Sequence, residues 1–168
     1  KSKYMGTEVT GKTLGIIGCG NIGSIVSDRA LGLKMKVIAY DPFLTKEKAL
    51  EIKVKKVELD ELLKLSDIIT LHVPLTDQTS NIINDKSLKA CKDGVFIINC
   101  ARGGLINEKD LKESLNSGKV AGAAIDVYEV EPAKESIFFG MENVVCTPHL
   151  GASTLEAQEN VALQVTDQ

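Results

Sequence analysis

Two imidazoles, His72 and His149, are the only ones in the 168 residues. Imidazole is the side chain best able to take and return a proton near neutrality. Each follows a short apolar run: His72 comes after Ile68-Ile69-Thr70-Leu71, and His149 after Val144-Val145-Cys146-Thr147-Pro148. His149 occupies a proline-stiffened turn, Thr147-Pro148-His149-Leu150-Gly151, which leads to Ser153-Thr154-Leu155-Glu156, spaced as a helix capping box. Such a turn would hold an imidazole well and favours His149. His72, ahead of Val73-Pro74, also reads as a partly buried strand end. Residue types alone leave both open as the acid/base.

A second group of residues could handle phosphates. Gly18-Cys19-Gly20-Asn21-Ile22-Gly23 follows the apolar run Leu14-Gly15-Ile16-Ile17 and precedes an amphipathic stretch. In that context the three glycines have separate jobs. Gly18 permits a tight turn, Gly20 lets the backbone approach a pyrophosphate, and Gly23 permits close helix–strand packing. The pyrophosphate would rest on the helix N-terminus, where free N–H groups favour negative charge. Asp41 lies 18 residues past Gly23 at the end of a second apolar run. A carboxylate there can accept from both ribose hydroxyls and would repel a 2′-phosphate, so the expected cofactor is NAD rather than NADP.

These groups need a scaffold that brings run ends together. Short β-branched runs alternate with helical patterns: strands are expected at Leu14–Ile17, Val37–Tyr40, Val54–Val57, Ile68–Leu71, Val95–Ile98, Ala121–Val127 and Val144–Val145. Ile22, Ile25, Val26, Ala30 and Leu33 are expected to form the buried face of the first helix. Leu59, Leu62 and Leu63 mark a short one, and Leu111 and Leu115 another between an Asn107 cap and a Gly118 stop. Strands apolar throughout imply burial on both faces, hence an α/β doubly wound parallel (Rossmann) sheet of about seven strands with helices on both faces.

In open parallel sheets ligands bind beyond the carboxyl ends of the strands. That focuses attention on His72, Thr76, Asn99, Arg102, Asp126, Glu129, Glu131, Thr147 and His149. Arg102, beside Gly103-Gly104, is placed to offer its planar fork to a carboxylate, though an arginine here also reads as a surface residue. Glu131, before Pro132, is either a solvated loop acid or a partner for a histidine. Asp126 closes an apolar strand, where an unpaired carboxylate is costly. Its expected partner is the nicotinamide side of the cofactor.

Composition narrows the classes. Apolar content of 43% and charged content of 26% suit a globular protein. The net charge of −3 argues against nucleic acid as a partner, and Lys53, Lys55 and Lys56 read as a solvated strand edge. No apolar run approaches the ~18 residues of a membrane span. Lys1 to Thr10 do not resemble a secretory signal. Cys19, Cys91, Cys100 and Cys146 lack metal-ligand spacing and lie in or beside apolar runs, so we expect buried, reduced thiols, no metal and a cytoplasmic location. With no initiating Met and a helical pattern persisting to Gln168, residues 1–168 are expected to be one domain taken from a longer chain.

Four ordered motifs carry a resemblance: Gly11-Lys12-Thr13-Leu14-Gly15-Ile16-Ile17-Gly18 with its glycine loop, Asn99 through Gly104, Asp126 through Pro132, and Thr147 through Thr154. Together they resemble the NAD-binding domain of the D-isomer-specific 2-hydroxyacid dehydrogenases over almost the whole chain. The resemblance implies a substrate-binding arginine at Arg102, an acid/base at His149 and its paired carboxylate at Glu131. It implies cofactor contacts at Gly18, Gly20, Asn21, Ile22, Gly23, Asp41, Val73, Cys100, Ala101, Arg102, Asp126, His149, Gly151 and Ala152. Many relatives have Arg or Lys in place of Asn21, and some have Thr in place of Val73. A small 2-hydroxy acid substrate and a homodimer, or larger homo-oligomer, formed through this domain are likewise implied. So is a substrate domain outside this chain, without which turnover would be poor. A catalytically idle NAD-sensing module would share the glycine loop, but would have no need of Arg102, Glu131 and His149 together.

Overall fold

A computed structural model describes residues 6–151 and 153–157. Seven strands run in chain order: β1 (Thr13–Ile17), β2 (Lys36–Tyr40), β3 (Lys55–Lys56), β4 (Ile68–Leu71), β5 (Val95–Asn99), β6 (Val120–Ile125) and β7 (Val144–Cys146). They form one parallel sheet in the order β3-β2-β1-β4-β5-β6-β7. The chain winds outward from β1 to one edge, then returns to β4 and winds to the other. The crevice for a ligand therefore opens between β1 and β4. Among the described residues no helix is long and apolar enough to cross a membrane.

Helices α1 (Asn21–Gly32), α2 (Lys46–Glu51), α3 (Leu59–Leu65), α4 (Asp85–Ala90) and α5 (Glu108–Ser117) connect the strands. Alternation along the strands divides the core in two. Leu14, Ile16, Val37 and Ala39 pack with Ala30 of α1 and Ala49 of α2. Ile17, Ile38, Ile69, Leu71 and Ile97 pack with Leu62, Leu88, Leu111 and Leu115 of α3, α4 and α5. Among the described residues the second face has 21 buried residues against ten on the first, and with each large apolar side chain worth about 1.5–3 kcal/mol it is the heavier side of the core.

Several expectations need correction. In α1 the buried residues are Gly23, Ser27 and Ala30, whereas Ile22 and Ile25 are 62% and 55% exposed and Leu33 is exposed too. Small residues face the sheet because the helix packs close to it. The apolar spacing of Ile22, Ile25 and Leu33 marks the outer face instead. Strand β3 shrinks to Lys55–Lys56, exposed on the sheet edge as expected, with Val54 and Val57 buried on either side. Strand β6 runs from Val120 to Ile125, ending two residues earlier than expected, although Asp126 N still donates to Asn99 O at the end of β5. Helices α2 and α4 went unforeseen; they have six residues each and are held by side-chain caps from Thr45 and Asn84. The last helix begins one residue later than its capping box suggests, with Thr154 Oγ1 accepting from Ala157 N at 3.1 Å. The expected caps of α5 are present: Asn107 accepts from Asp110 N, and Gly118 has a left-handed φ of 79°.

Gly15, at the centre of β1, has α3 pressed against it, and an added Cβ would overlap Ser66 Oγ and lie 2.8 Å from Leu62 Cδ2. Ser66 and Leu62 are fully buried. Gly15→Ala is therefore expected to destabilise the domain by about 1–3 kcal/mol, measured as a lower denaturation midpoint in urea.

Candidate active site

The strands end in one row. Register aligns Tyr40 with Ile17, Ile17 with Leu71, Leu71 with Asn99, Asn99 with Ile125 and Ile125 with Cys146. Immediately beyond lie Asp41, Gly18, His72 and Val73, Cys100 to Arg102, Asp126, and Thr147 to His149. Residues scattered over more than 100 positions of chain thus share the carboxyl edge.

The glycine loop is crowded in two places and open in a third. Gly18 has φ of 91°, and a Cβ there would lie 2.6 Å from both His72 O and Val73 Cγ1. At Gly23 a Cβ would overlap the Gly18 carbonyl. At Gly20 it would meet nothing within 4 Å. The space beside Gly20 is where a ligand can reach the backbone. Helix α1 begins there with no side-chain cap and no acidic residue in its first turn, which leaves N–H donors and positive dipole for an anion. Asp41 Oδ2 accepts from Cys19 N and Oδ1 from Phe43 N, both at 2.8 Å, so the carboxylate is fixed beside the loop. Each oxygen keeps acceptor capacity for a ribose hydroxyl. These residues fit NAD, while Ala152 lies outside the described residues.

At the other end of the row, Asp126 is 4% exposed. Its Oδ1 accepts from Thr147 Oγ1 at 2.5 Å and from Leu150 N at 2.8 Å, and its Oδ2 accepts from Gly151 N at 3.1 Å. Within the chain, the partners of this carboxylate are all on the turn carrying His149. Burial raises its pKa, but the Thr147, Leu150 and Gly151 hydrogen bonds, with His149 nearby, hold the carboxyl below its ordinary value. Within the turn, His149 has φ of 56°, a left-handed conformation that costs a non-glycine residue about 1–2 kcal/mol. The three bonds to Asp126 hold that conformation.

His149 Nδ1 lies 2.5 Å from Glu131 Oε2, and Glu131 Oε1 accepts from Tyr128 N at 3.0 Å. The carboxylate can only accept, so Nδ1 donates and Nε2 is left to exchange a proton. The bond to His149, then that from Tyr128, lowers the pKa of Glu131 and keeps it ionised. His72 is different. Its Nε2 lies 3.0 Å from Thr70 Oγ1, and burial lowers its pKa, favouring the neutral ring. Geometry thus separates two imidazoles that residue types left open.

Arg102 is exposed, its Nη1 donating to Ala101 O at 2.6 Å. Cys100 is exposed as well, against the expectation of a buried thiol, whereas Cys19 and Cys91 are buried. Asn99 was visible only as one polar strand end among many; its side chain, buried, bonds the loop that bears Arg102. The largest cavity described, about 670 Å³ near Thr7, Asp67 and Phe96, lies at the opposite edge of the sheet and takes no part.

Fold, open glycine cradle and fixed Asp41 define a dinucleotide-binding α/β domain. Residues 1–151 match the family described as "D-isomer specific 2-hydroxyacid dehydrogenase, NAD binding domain", and the chain belongs to it. A D-3-phosphoglycerate dehydrogenase of Bacillus subtilis (strain 168) is 49% identical over 168 residues, 100% of this chain and 32% of that protein. A hydroxypyruvate reductase of Thermotoga maritima is 50% identical over 170 residues, covering 99% of this chain and 55% of that one. Among solved structures, a D-lactate dehydrogenase from Aquifex aeolicus complexed with NAD and lactic acid is similar with TM-score 0.90 and 33% identity, over 99% of this chain and 55% of that chain. The chain thus spans only part of the length of these relatives.

Two outcomes follow. Gly20→Ala should fold normally yet weaken NAD binding on titration, whereas Gly23→Ala should lower thermal stability as well. Asp126→Asn should be less stable than the parent. Because the native pKa of Asp126 is depressed, its contribution is present above the ordinary carboxylate pKa and lost as pH falls through the native one. The stability difference, followed by denaturation against pH, should therefore be largest near neutrality and shrink in acid.

Proposed function

We propose that this chain is the NAD-binding domain of a two-domain enzyme that oxidises D-3-phosphoglycerate to 3-phosphohydroxypyruvate, the opening step of serine biosynthesis. The observation that carries the reading is the Glu131–His149 pair, held on a turn pinned by Asp126, on the same strand-end row as Arg102 and the glycine cradle. The naming of relatives from Bacillus subtilis and Archaeoglobus fulgidus, at 49% and 48% identity, favours this substrate. The hydroxypyruvate reductase at 50% identity supports a second reading, in which the physiological acid is hydroxypyruvate or glyoxylate.

In the proposed reaction Arg102 binds the substrate carboxylate through its fork and polarises the reacting oxygen. His149 Nε2 takes the C2 hydroxyl proton in oxidation and returns it in reduction, while Glu131 stabilises the resulting cation. The chemistry that NAD would supply when bound is uptake of the hydride from C2. Gly18, Gly20, Asn21, Ile22, Gly23 and Asp41 would hold the pyrophosphate and ribose, with Cys100, Arg102 and Asp126 on the nicotinamide side and Val73, Ala101 and Gly151 as further cofactor contacts. The exposed Ile25 on α1 and Leu33 just after it suit a homodimer through this domain. The free, exposed Cys100 thiol suits a reducing cytoplasm.

In the full-length protein, His149→Ala should lower kcat for 3-phosphoglycerate by about 10²–10⁴-fold. The 168 residues alone should bind NAD without robust turnover. Wild-type turnover in the variant would overturn the assignment of His149; comparison of candidate hydroxy acids by NADH formation decides the substrate.

A further inference from the structure

Asn99 ends β5 and is 2% exposed, and its amide is used at both ends. Nδ2 donates to Arg102 O at 2.9 Å, and Oδ1 accepts from Ala101 N at 3.0 Å. Asn99 O in turn accepts from Asp126 N at 3.0 Å, so the same residue is tied to the neighbouring strand end. The loop is also blocked from outside. A Cβ on Gly103 would overlap Tyr128 O, so the segment after Arg102 lies directly against the loop that carries Glu131. Cys100 to Arg102 are thus held between a buried amide below and the Tyr128 backbone beside them. The Arg102 head is exposed and bonds only its neighbour's carbonyl, and a long side chain of that kind is positioned largely by its backbone.

We propose that Asn99 is a positioning residue for Arg102: its amide sets the backbone from which the guanidinium reaches the substrate carboxylate. This rests on the reading of Arg102 as the carboxylate clamp. Arg102 itself is the group that meets substrate; Asn99 acts through it. Few side chains can replace this amide. Leucine fills similar space without either bond. Aspartate keeps the acceptor for Ala101 N but sets a carboxylate against the Arg102 carbonyl.

The test uses full-length protein with NAD and 3-phosphoglycerate, comparing Asn99→Ala, Asn99→Asp, Arg102→Ala and the Asn99→Ala/Arg102→Ala double variant. Both Asn99 variants should raise KM for 3-phosphoglycerate by about ten-fold or more and lower kcat. In the Arg102→Ala background, Asn99→Ala should add no further rise in KM, the non-additivity of residues acting as one unit. If Asn99→Ala fails to fold, the comparison is read from Asn99→Asp on the same two backgrounds. A lower thermal midpoint with unchanged KM, or losses that simply add, would overturn the proposal while leaving the dehydrogenase reading in place. A wild-type protein inactive on 3-phosphoglycerate and on every other 2-hydroxy acid tried would overturn both.

Discussion

The buried carboxylate of Asp126 is the interaction on which the His149 end of the row depends. Removed from water at the end of β6, it must find donors inside the protein, and it finds three, all on the segment Thr147–Gly151. That requirement holds His149 in a left-handed backbone conformation that the chain would otherwise avoid. With the backbone fixed, the imidazole needs only one further restraint to be aimed, and Glu131 provides it.

At the opposite end the governing constraint is steric rather than electrostatic. Gly18 is pressed against the end of β4, and Gly23 against Gly18, so the start of α1 is packed tightly onto the strand end before it. Only at Gly20 is there room. Tight packing on either side fixes the one open position between them. The uncapped first turn of α1 supplies the donors, and Asp41, tethered through Cys19 N, sets the far wall. Crowding and vacancy in the same six residues are two aspects of one design: the packed glycines hold the open one in place.

Much of this was legible in the residues. All seven strands, the parallel sheet and the glycine loop with Asp41 could be read from run lengths, turn residues and motif order, whereas Arg102, Glu131 and His149 stood out as a trio only through the family resemblance. What escaped depends on distance in space. The spacing of Ile22, Ile25 and Leu33 is that of a buried face, yet α1 lies so close to β1 that Gly23, Ser27 and Ala30 face the sheet. Helices α2 and α4 are too short to show a period, and their caps matter more than their apolar content. The partner of Asp126 was assigned to a ligand because the donors lie more than twenty residues away in sequence. Asn99 looked like any polar strand end because nothing in its neighbours announces that its amide closes the loop after it.

The two histidines show the same limit and how surroundings resolve it. Both end strands, and both lie on the carboxyl edge, so chemistry and position alone cannot rank them. His72 is half-buried beside a buried threonine hydroxyl, an environment that penalises charge and can satisfy a neutral ring. His149 stands partly open to solvent, one nitrogen against a carboxylate that its own hydrogen bonds keep ionised. A proton taken by His72 would have no counter-charge and little solvent. A proton taken by His149 would be met by Glu131 on one side, with Asp126 close behind the turn. An acid/base must be stable enough in both protonation states to move between them. Of the two imidazoles, His149 is the one whose surroundings accommodate both.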